Sequence, residues 1–225
     1  MNVTSLLELL RREQVTLLLG PYTTPRPLDL EDLSILCTNL RDTGGGRSVY
    51  HLWRTITSYT MLSISYNKAY LALLEQLVAK PNIFIASFSL LCPSLVASDN
   101  AVEAYGCFIT ARCPYCHSRE VISSPNQLPP SCKCGRYMVP EILYNNCMMQ
   151  DRVAIRIVHE ASTSDVLLLV GFKHYDPFTA TLAAYCRSLG VSIVEVAKNG
   201  KGLDCVANIR FHMDPLDFLK LLASY

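Results

Sequence analysis

The chain has 225 residues, with 20 Lys and Arg against 19 Asp and Glu, and ten cysteines. Half of the residues are hydrophobic and 17% are charged, which excludes wholesale disorder and leaves enough apolar side chain for a sizeable core. A net charge of +1 excludes a broad basic footprint for nucleic acid, and no apolar run approaches the roughly 18 residues of a membrane span.

Ser5-Leu-Leu-Glu8 has the spacing of a capping box, and Leu6, Leu7, Leu9 and Leu10 follow at helical intervals, so an N-terminal helix is predicted. Glu8, Arg11, Arg12 and Glu13 interrupt any signal-peptide core, and the expected setting is soluble and intracellular, in cytoplasm or nucleus. Val15-Thr-Leu-Leu-Leu19, stopped by Gly20-Pro21, reads as a buried strand of a parallel sheet. Residues 21–50 read as a long loop around a helical piece at 30–40. Residues 51–80 return to helical spacing, with Leu71, Leu74, Leu77 and Val78 on one face. Pro81 ends that helix and 82–86 reads as a second strand.

Residues 107–140 are rich in Cys, Pro and Ser and lack apolar periodicity, so they cannot bury a core of their own. After them the pattern resumes: a helix over 151–161, a strand over 165–171, a helix over 179–189 closed by Gly190, a strand over 191–196 and a helix over 217–224. This alternation predicts an α/β protein with a Rossmann-like, doubly wound parallel sheet. Residues 1–106 and 141–225 form its two parts, and 107–140 is a small inserted module.

Cys113-Pro-Tyr-Cys116 and Cys132-Lys-Cys134-Gly135 read as two knuckles joined by a Pro/Ser-rich spacer. Four soft thiolates on tight turns suit tetrahedral zinc, and a structural zinc contributes on the order of 10 kcal/mol of folding free energy. The second knuckle is tighter than the usual C-x2-C, and His117 is a substitute ligand ranked below Cys134. A closed four-cysteine site is structural, since catalytic zinc keeps an open position for water. The other six cysteines, Cys37, Cys92, Cys107, Cys147, Cys186 and Cys205, are scattered in apolar surroundings and read as small buried hydrophobes.

A zinc ribbon interrupting a Rossmann-type sheet, with Gly135-x4-Pro140 just beyond it, resembles the sirtuins, which are NAD-dependent protein lysine deacylases. The resemblance runs along nearly the whole chain. Val15 to Gly20 is similar to the strand leading into the family's Gly-Ala-Gly cofactor loop, and Leu40-Arg41-Asp42 to its Phe-Arg segment. Glu103-Ala-Tyr105-Gly106 stands where the family has Glu-x-His-Gly. Residues 165–171 resemble the strand that ends in Gly-Thr-Ser, with Pro177 in place, and 191–196 resembles the strand at the adenosine end of the cofactor. The resemblance implies Gly20 and Gly171 as cofactor-loop positions.

The departures fall on the family's chemistry. Tyr105 replaces the catalytic histidine, and a phenol with a pKa of about 10 is a poor base beside an imidazole at about 6.5. Ala86-Ser87-Phe88-Ser89 replaces Gln-Asn-x-Asp, and Gly20-Pro21-Tyr22 replaces Gly-Ala-Gly. Gly171-Phe-Lys-His174 lacks the Thr-Ser hydroxyls, Tyr144-Asn-Asn-Cys147 lacks Phe-Gly-Glu, and Ala197 replaces the ribose-contacting Asn. The expectation is a sirtuin-like pseudoenzyme with no catalytic residue and doubtful NAD or ADP-ribose binding, acting with protein partners as a scaffold. One alternative is a deacylase or ADP-ribosyltransferase whose base is His51, His159 or His174, of which His174 lies best, at the end of a strand. Another is a nucleotide or ADP-ribose sensor.

Overall fold

The computed structural model describes residues 2–23, 49–50, 52–54, 69–88, 98–121, 129–142, 149–173, 175–198 and 206–225. The expected helical piece at 30–40 lies outside them, as do His51, His174, the 144–147 segment and all of 55–68. The chain divides into two compact units: one of residues 1–27, 69–104 and 149–225, the other of residues 28–68 and 105–148. Composition alone drew the small module as 107–140. The smaller unit also takes in 28–68, and a described contact within it is the Trp53 indole N–H donating to Met138 O at 2.8 Å, with the ring buried.

The larger unit is a parallel sheet with the strand order β3-β2-β1-β7-β8-β9. Its strands are β1 (Val15–Leu19), β2 (Ile83–Ser87), β3 (Ala101–Glu103), β7 (Val166–Val170), β8 (Ser192–Val196) and β9 (Ile209–Phe211). Every residue of β1, β2 and β7 is buried, as the continuous apolar runs demand of a sheet covered on both faces. Strand β1 pairs with β2 on one side, Leu17 beside Ile85, and with β7 on the other, Leu17 beside Leu168. The order therefore reverses between β1 and β7.

One face carries α1 (Val3–Leu10), the helical residues 69–78 and α4 (Pro215–Ser224). Leu6, Leu10, Leu74, Leu77, Phe218 and Leu222 are packed there in one cluster with Leu17, Leu168 and Val194. Two further helices are α2 (Asp151–Thr163), which packs on β1 and β3, and α3 (Pro177–Ser188), which packs on β8. The start of α1 differs from the expected box. Asn2 is the cap and its side chain accepts the Ser5 amide at 2.8 Å, so Ser5 lies inside the helix. Asp176 and Asp214 cap α3 and α4, each followed by proline at the first helical position, and both helices start two residues earlier than apolar spacing predicts. Gly190, at φ +89°, closes α3 as expected, with its N–H on Arg187 O and the Val191 N–H on Cys186 O.

The smaller unit holds an antiparallel three-stranded sheet of order β5-β4-β6, built from β4 (Gly106–Arg112), β5 (Arg119–Val121) and β6 (Val139–Ile142).

Candidate functional site

The cysteine cluster is built from two turns. Strands β4 and β5 pair with Arg112 opposite Arg119, so residues 113–118 form the turn between them. That turn is closed by the Cys113 N–H on Ser118 O at 2.9 Å and the His117 N–H on Cys113 O at 3.1 Å, with His117 at φ 60°. The second turn is closed by the Cys132 N–H on Arg136 O and the Gly135 N–H on Cys132 O. Gly135 sits at φ +81°, where a side chain is disfavoured, and this lets a one-residue loop present both sulfurs.

The four Sγ atoms of Cys113, Cys116, Cys132 and Cys134 lie within 4.8 Å of one another. Two pairs stand at 3.3 Å and 3.5 Å. Sulfurs held tetrahedrally at a Zn–S distance of 2.3 Å are about 3.8 Å apart, so the donor set fits a zinc ion. Thiols this close compete for protons. The Ser118 hydroxyl, followed by the Ser118 backbone, pulls Cys116 down to about 6. The Arg136 backbone favours the thiolate of Cys134, yet Cys132 and Cys113 push that thiol up to about 12. A divalent cation among them relieves that conflict by holding all four as thiolates. His117 is outside the cluster, and its Nδ1 accepts from Arg112 Nη2 at 3.2 Å. Of the scattered cysteines, Cys186 is buried and its thiol is pushed up to about 11 by that burial. The side chains of the other five are outside the described residues.

The second feature is where the strand order reverses, at the C-terminal ends of β1 and β7, the usual ligand position in an open α/β sheet. Gly20 and Gly171, the two expected cofactor glycines, are brought face to face there. A Cβ on Gly20 would collide with Gly171 O; one on Gly171, at φ +75°, would stand 2.7 Å from Thr23 N. The loop after β1 is closed on the protein. The Gly20 N–H donates to Val170 O (2.8 Å), the Tyr22 N–H to Gly171 O (3.0 Å) and the Thr23 N–H to Gly20 O (3.2 Å). The Thr23 hydroxyl also donates to Gly20 O and shares a hydrogen bond with Tyr70 OH at 3.0 Å. Pro21 has no N–H. Each backbone donor from Gly20 to Thr23 is therefore engaged.

Beside this loop lies a cavity of about 340 Å³ within the larger unit. Tyr22 and Phe172 give it aromatic walls, Gly171 and Ala197 leave it room, and Lys173, Lys198 and Asp214 give it charge. Lys173 Nζ stands 5.8 Å over the Tyr22 ring, and Lys198 Nζ is 3.8 Å from Asp214 Oδ2. Phe172 is held from behind: it stacks on Tyr175 with centroids 5.1 Å apart and meets the edge of Phe88 at 5.6 Å. Tyr175 OH donates to Glu195 Oε1 at 2.6 Å, and Arg210 Nε to Glu195 Oε2 at 2.6 Å. Burial, followed by the Glu195 carboxylate, raises the Tyr175 phenol well above its ordinary value, so it stays a donor. Sequence reasoning missed this network; a charged residue inside an apolar strand, Glu195 between Val194 and Val196, was the available signal.

Phe88 and Ser87, at the end of β2, are buried, and the Phe88 N–H donates to Leu19 O. Glu103 ends β3 opposite Ser87. Burial pushes its carboxyl well above the usual carboxylate range, against a smaller opposing pull from the Ser87 hydroxyl. Neither of its buried oxygens has a hydrogen-bond partner of good geometry. Tyr105 is half-buried in the smaller unit. His159 is exposed on α2 and does not line the cavity.

With this geometry in view, the solved structures are informative. A His→Asn mutant of a Sir2 homologue in complex with ADP ribose superposes with a TM-score of 0.76 at 17% identity, over 100% of this chain and 96% of that one. This is a sirtuin fold. A His→Tyr mutant of Sir2 with a p53 peptide and NAD gives 0.75 at 17% identity, covering 100% and 98%. In sequence, an NAD-dependent protein deacylase of Pyrobaculum aerophilum is 28% identical over 110 residues, 48% of this chain and 44% of that protein. The match thus spans less than half the length of that curated relative. No protein-family model matches the chain. The fold, a Rossmann-like parallel sheet with a four-cysteine cluster, is that of the Sir2 structures, and the part of the chain matched in sequence is similar to NAD-dependent protein deacylases. Among the described residues no helix is long and apolar enough to cross a membrane.

Proposed function

We propose that this sirtuin-fold chain does not perform NAD-dependent deacylation and works as a scaffolding subunit for a protein partner, with zinc held by Cys113, Cys116, Cys132 and Cys134. The observation that carries the reading is the closed loop after β1. An enzyme of this fold needs a loop that offers backbone N–H groups to a pyrophosphate, and here Gly20, Tyr22 and Thr23 donate to Val170, Gly171 and Gly20 while Pro21 has none to offer. Tyr105 at the position of the family's histidine supports the same reading, because a phenol near pH 7 is protonated and takes up a proton poorly. The zinc supplies folding free energy to the smaller unit and no chemistry. For the partner, exposed Tyr115 and Tyr137, at 65% and 50% accessibility on the two knuckles, are the support.

The test is nicotinamide release from NAD in the presence of acetylated and propionylated peptides, with zinc-replete protein. Background release is expected from the native chain and also from Tyr105→His, since restoring the base leaves the loop closed. Turnover by the native chain would overturn the proposal. Turnover gained by Tyr105→His alone would show that the loop admits the cofactor. A second reading, a nucleotide-binding sensor, is favoured by the cavity at the strand ends. The Sir2 proteins solved with ADP ribose and with NAD lend it support, one of them bearing a His→Tyr change.

A further inference from the structure

We infer that Ser118 is a positioning residue of the four-cysteine site: its hydroxyl ties the two knuckles together from outside the donor set and sets how firmly they hold the metal. The inference rests on the reading that the four cysteines bind zinc. Ser118 Oγ lies 3.2 Å from Cys116 Sγ, on the first knuckle, and 3.1 Å from Cys132 Sγ, on the second. Those two sulfurs are 3.3 Å apart, so the hydroxyl sits across the pair. The backbone of the same residue closes the first turn, because its carbonyl accepts the Cys113 N–H at 2.9 Å. Its place is set by the hairpin and needs no metal: Arg112 and Arg119, at the two ends of the turn, are paired across β4 and β5. Four sulfurs complete a zinc tetrahedron, and a neutral hydroxyl is not among the ion's ordinary ligands, so Ser118 belongs in the surrounding layer. Thiolates carry lone pairs and no proton, so toward a loaded site the hydroxyl is a donor, its one hydrogen shared between Cys116 and Cys132. Four thiolates around a divalent ion leave a net charge of about −2, and a hydrogen bond to charged sulfur offsets part of it. Partners of this kind orient the ligands and tune the metal, and losing one costs about 10–100-fold in affinity. Ser118 is neutral and exposed, which puts it at the low end of that range.

Zinc affinity of the full chain, measured by competition with a chelator of known affinity, tests this. Ser118→Ala keeps the carbonyl that closes the turn and removes only the hydroxyl; it is expected to bind zinc about tenfold more weakly. Ser118→Thr, which keeps the hydroxyl, is expected to bind as the native chain does. Cobalt(II) in place of zinc gives a readout that a merely structural role would not move. A hydrogen bond lowers the energy of the sulfur lone pairs, so the sulfur-to-cobalt charge-transfer band should shift to longer wavelength in Ser118→Ala and return in Ser118→Thr. A turn that was only loosened would bind less cobalt with the band in its native place, and that result would overturn the inference. Equal zinc affinity in the native chain and Ser118→Ala would overturn it too, as would a Ser118→Thr chain as weak as Ser118→Ala. A native chain that takes up no zinc would sink the reading of the four-cysteine site itself. One zinc per chain, held equally well with and without the Ser118 hydroxyl, would sink this inference alone.

Discussion

The two compact units reach order by opposite means. In the larger one, β1, β2 and β7 are buried along their whole length, and the helices add leucines and a phenylalanine to the same cluster. Apolar burial at about 25 cal/mol per Å² is sufficient to hold such a sheet. In the smaller unit the knuckles are exposed over nearly all of 114–120 and 133–137, and what converges inside them is four sulfurs. The smaller unit buries Leu52, Trp53, Ala111 and Met138, but its two knuckles have a donor set where the larger unit has apolar side chains. The cavity of about 340 Å³ lies on the larger unit, and the exposed Tyr115 and Tyr137 lie on the smaller one.

The largest effect should separate the two directly. Cys113→Ser or strong chelation should release about one zinc per chain, remove on the order of 10 kcal/mol of binding free energy from the smaller unit, and open residues 105–148 to protease. Metal analysis that finds no zinc in the native chain would break the comparison. Leu168→Ala, in the cluster shared by β7 and the helices, should cost about 2–5 kcal/mol by denaturant unfolding and leave the zinc content unchanged. Gly171→Ala should cost about 1–3 kcal/mol, since it places a Cβ at φ +75° and 2.7 Å from Thr23 N; a thermal midpoint equal to the native one would show that the two loops yield.

The smallest effect is a change of slope. Glu103 has its carboxyl raised well above the ordinary value, so from about pH 4.5 upward the folded chain holds a proton that the unfolded chain releases. Its contribution is fully present below that pH and is lost as pH rises through the folded value. Glu103→Gln should therefore flatten the decline in stability between pH 5 and pH 8, measured by denaturation at both. An unaltered slope would mean that the carboxyl titrates normally.

Strands β1, β2, β7 and β8 were legible because a fully buried parallel strand leaves a continuous apolar run, and Gly20-Pro21, Gly171 and Gly190 mark the breaks. Strands β3 and β9 were not: Ala-Val-Glu and Ile-Arg-Phe are three residues each, too short for any period to register. Strand β5 is as short, whereas the seven residues of β4 and the four of β6 lie in the Cys- and Pro-rich stretch without apolar periodicity. The four cysteines were legible from spacing alone, since only tight turns bring C-x2-C and C-x-C sulfurs together. Asn2 was missed as the cap of α1 because Ser5 offered the better-known pattern, whereas hydrogen-bond geometry selects the residue at which the backbone is still extended.

By itself the sequence determined the alternation of strand and helix and the sulfur donor set, and it placed Tyr105 where the resemblance to the sirtuins has a histidine. These are local facts, set by side-chain period, turn chemistry and residue identity. Only the tertiary structure decided what Gly20 and Gly171 do. Their amides and the space a Cβ would fill depend on β7 lying beside β1, a pairing across about 150 residues of chain. That pairing turns two expected cofactor glycines into the tight contact between two loops, and leaves the charge of the neighbouring cavity to Lys173, Lys198 and Asp214.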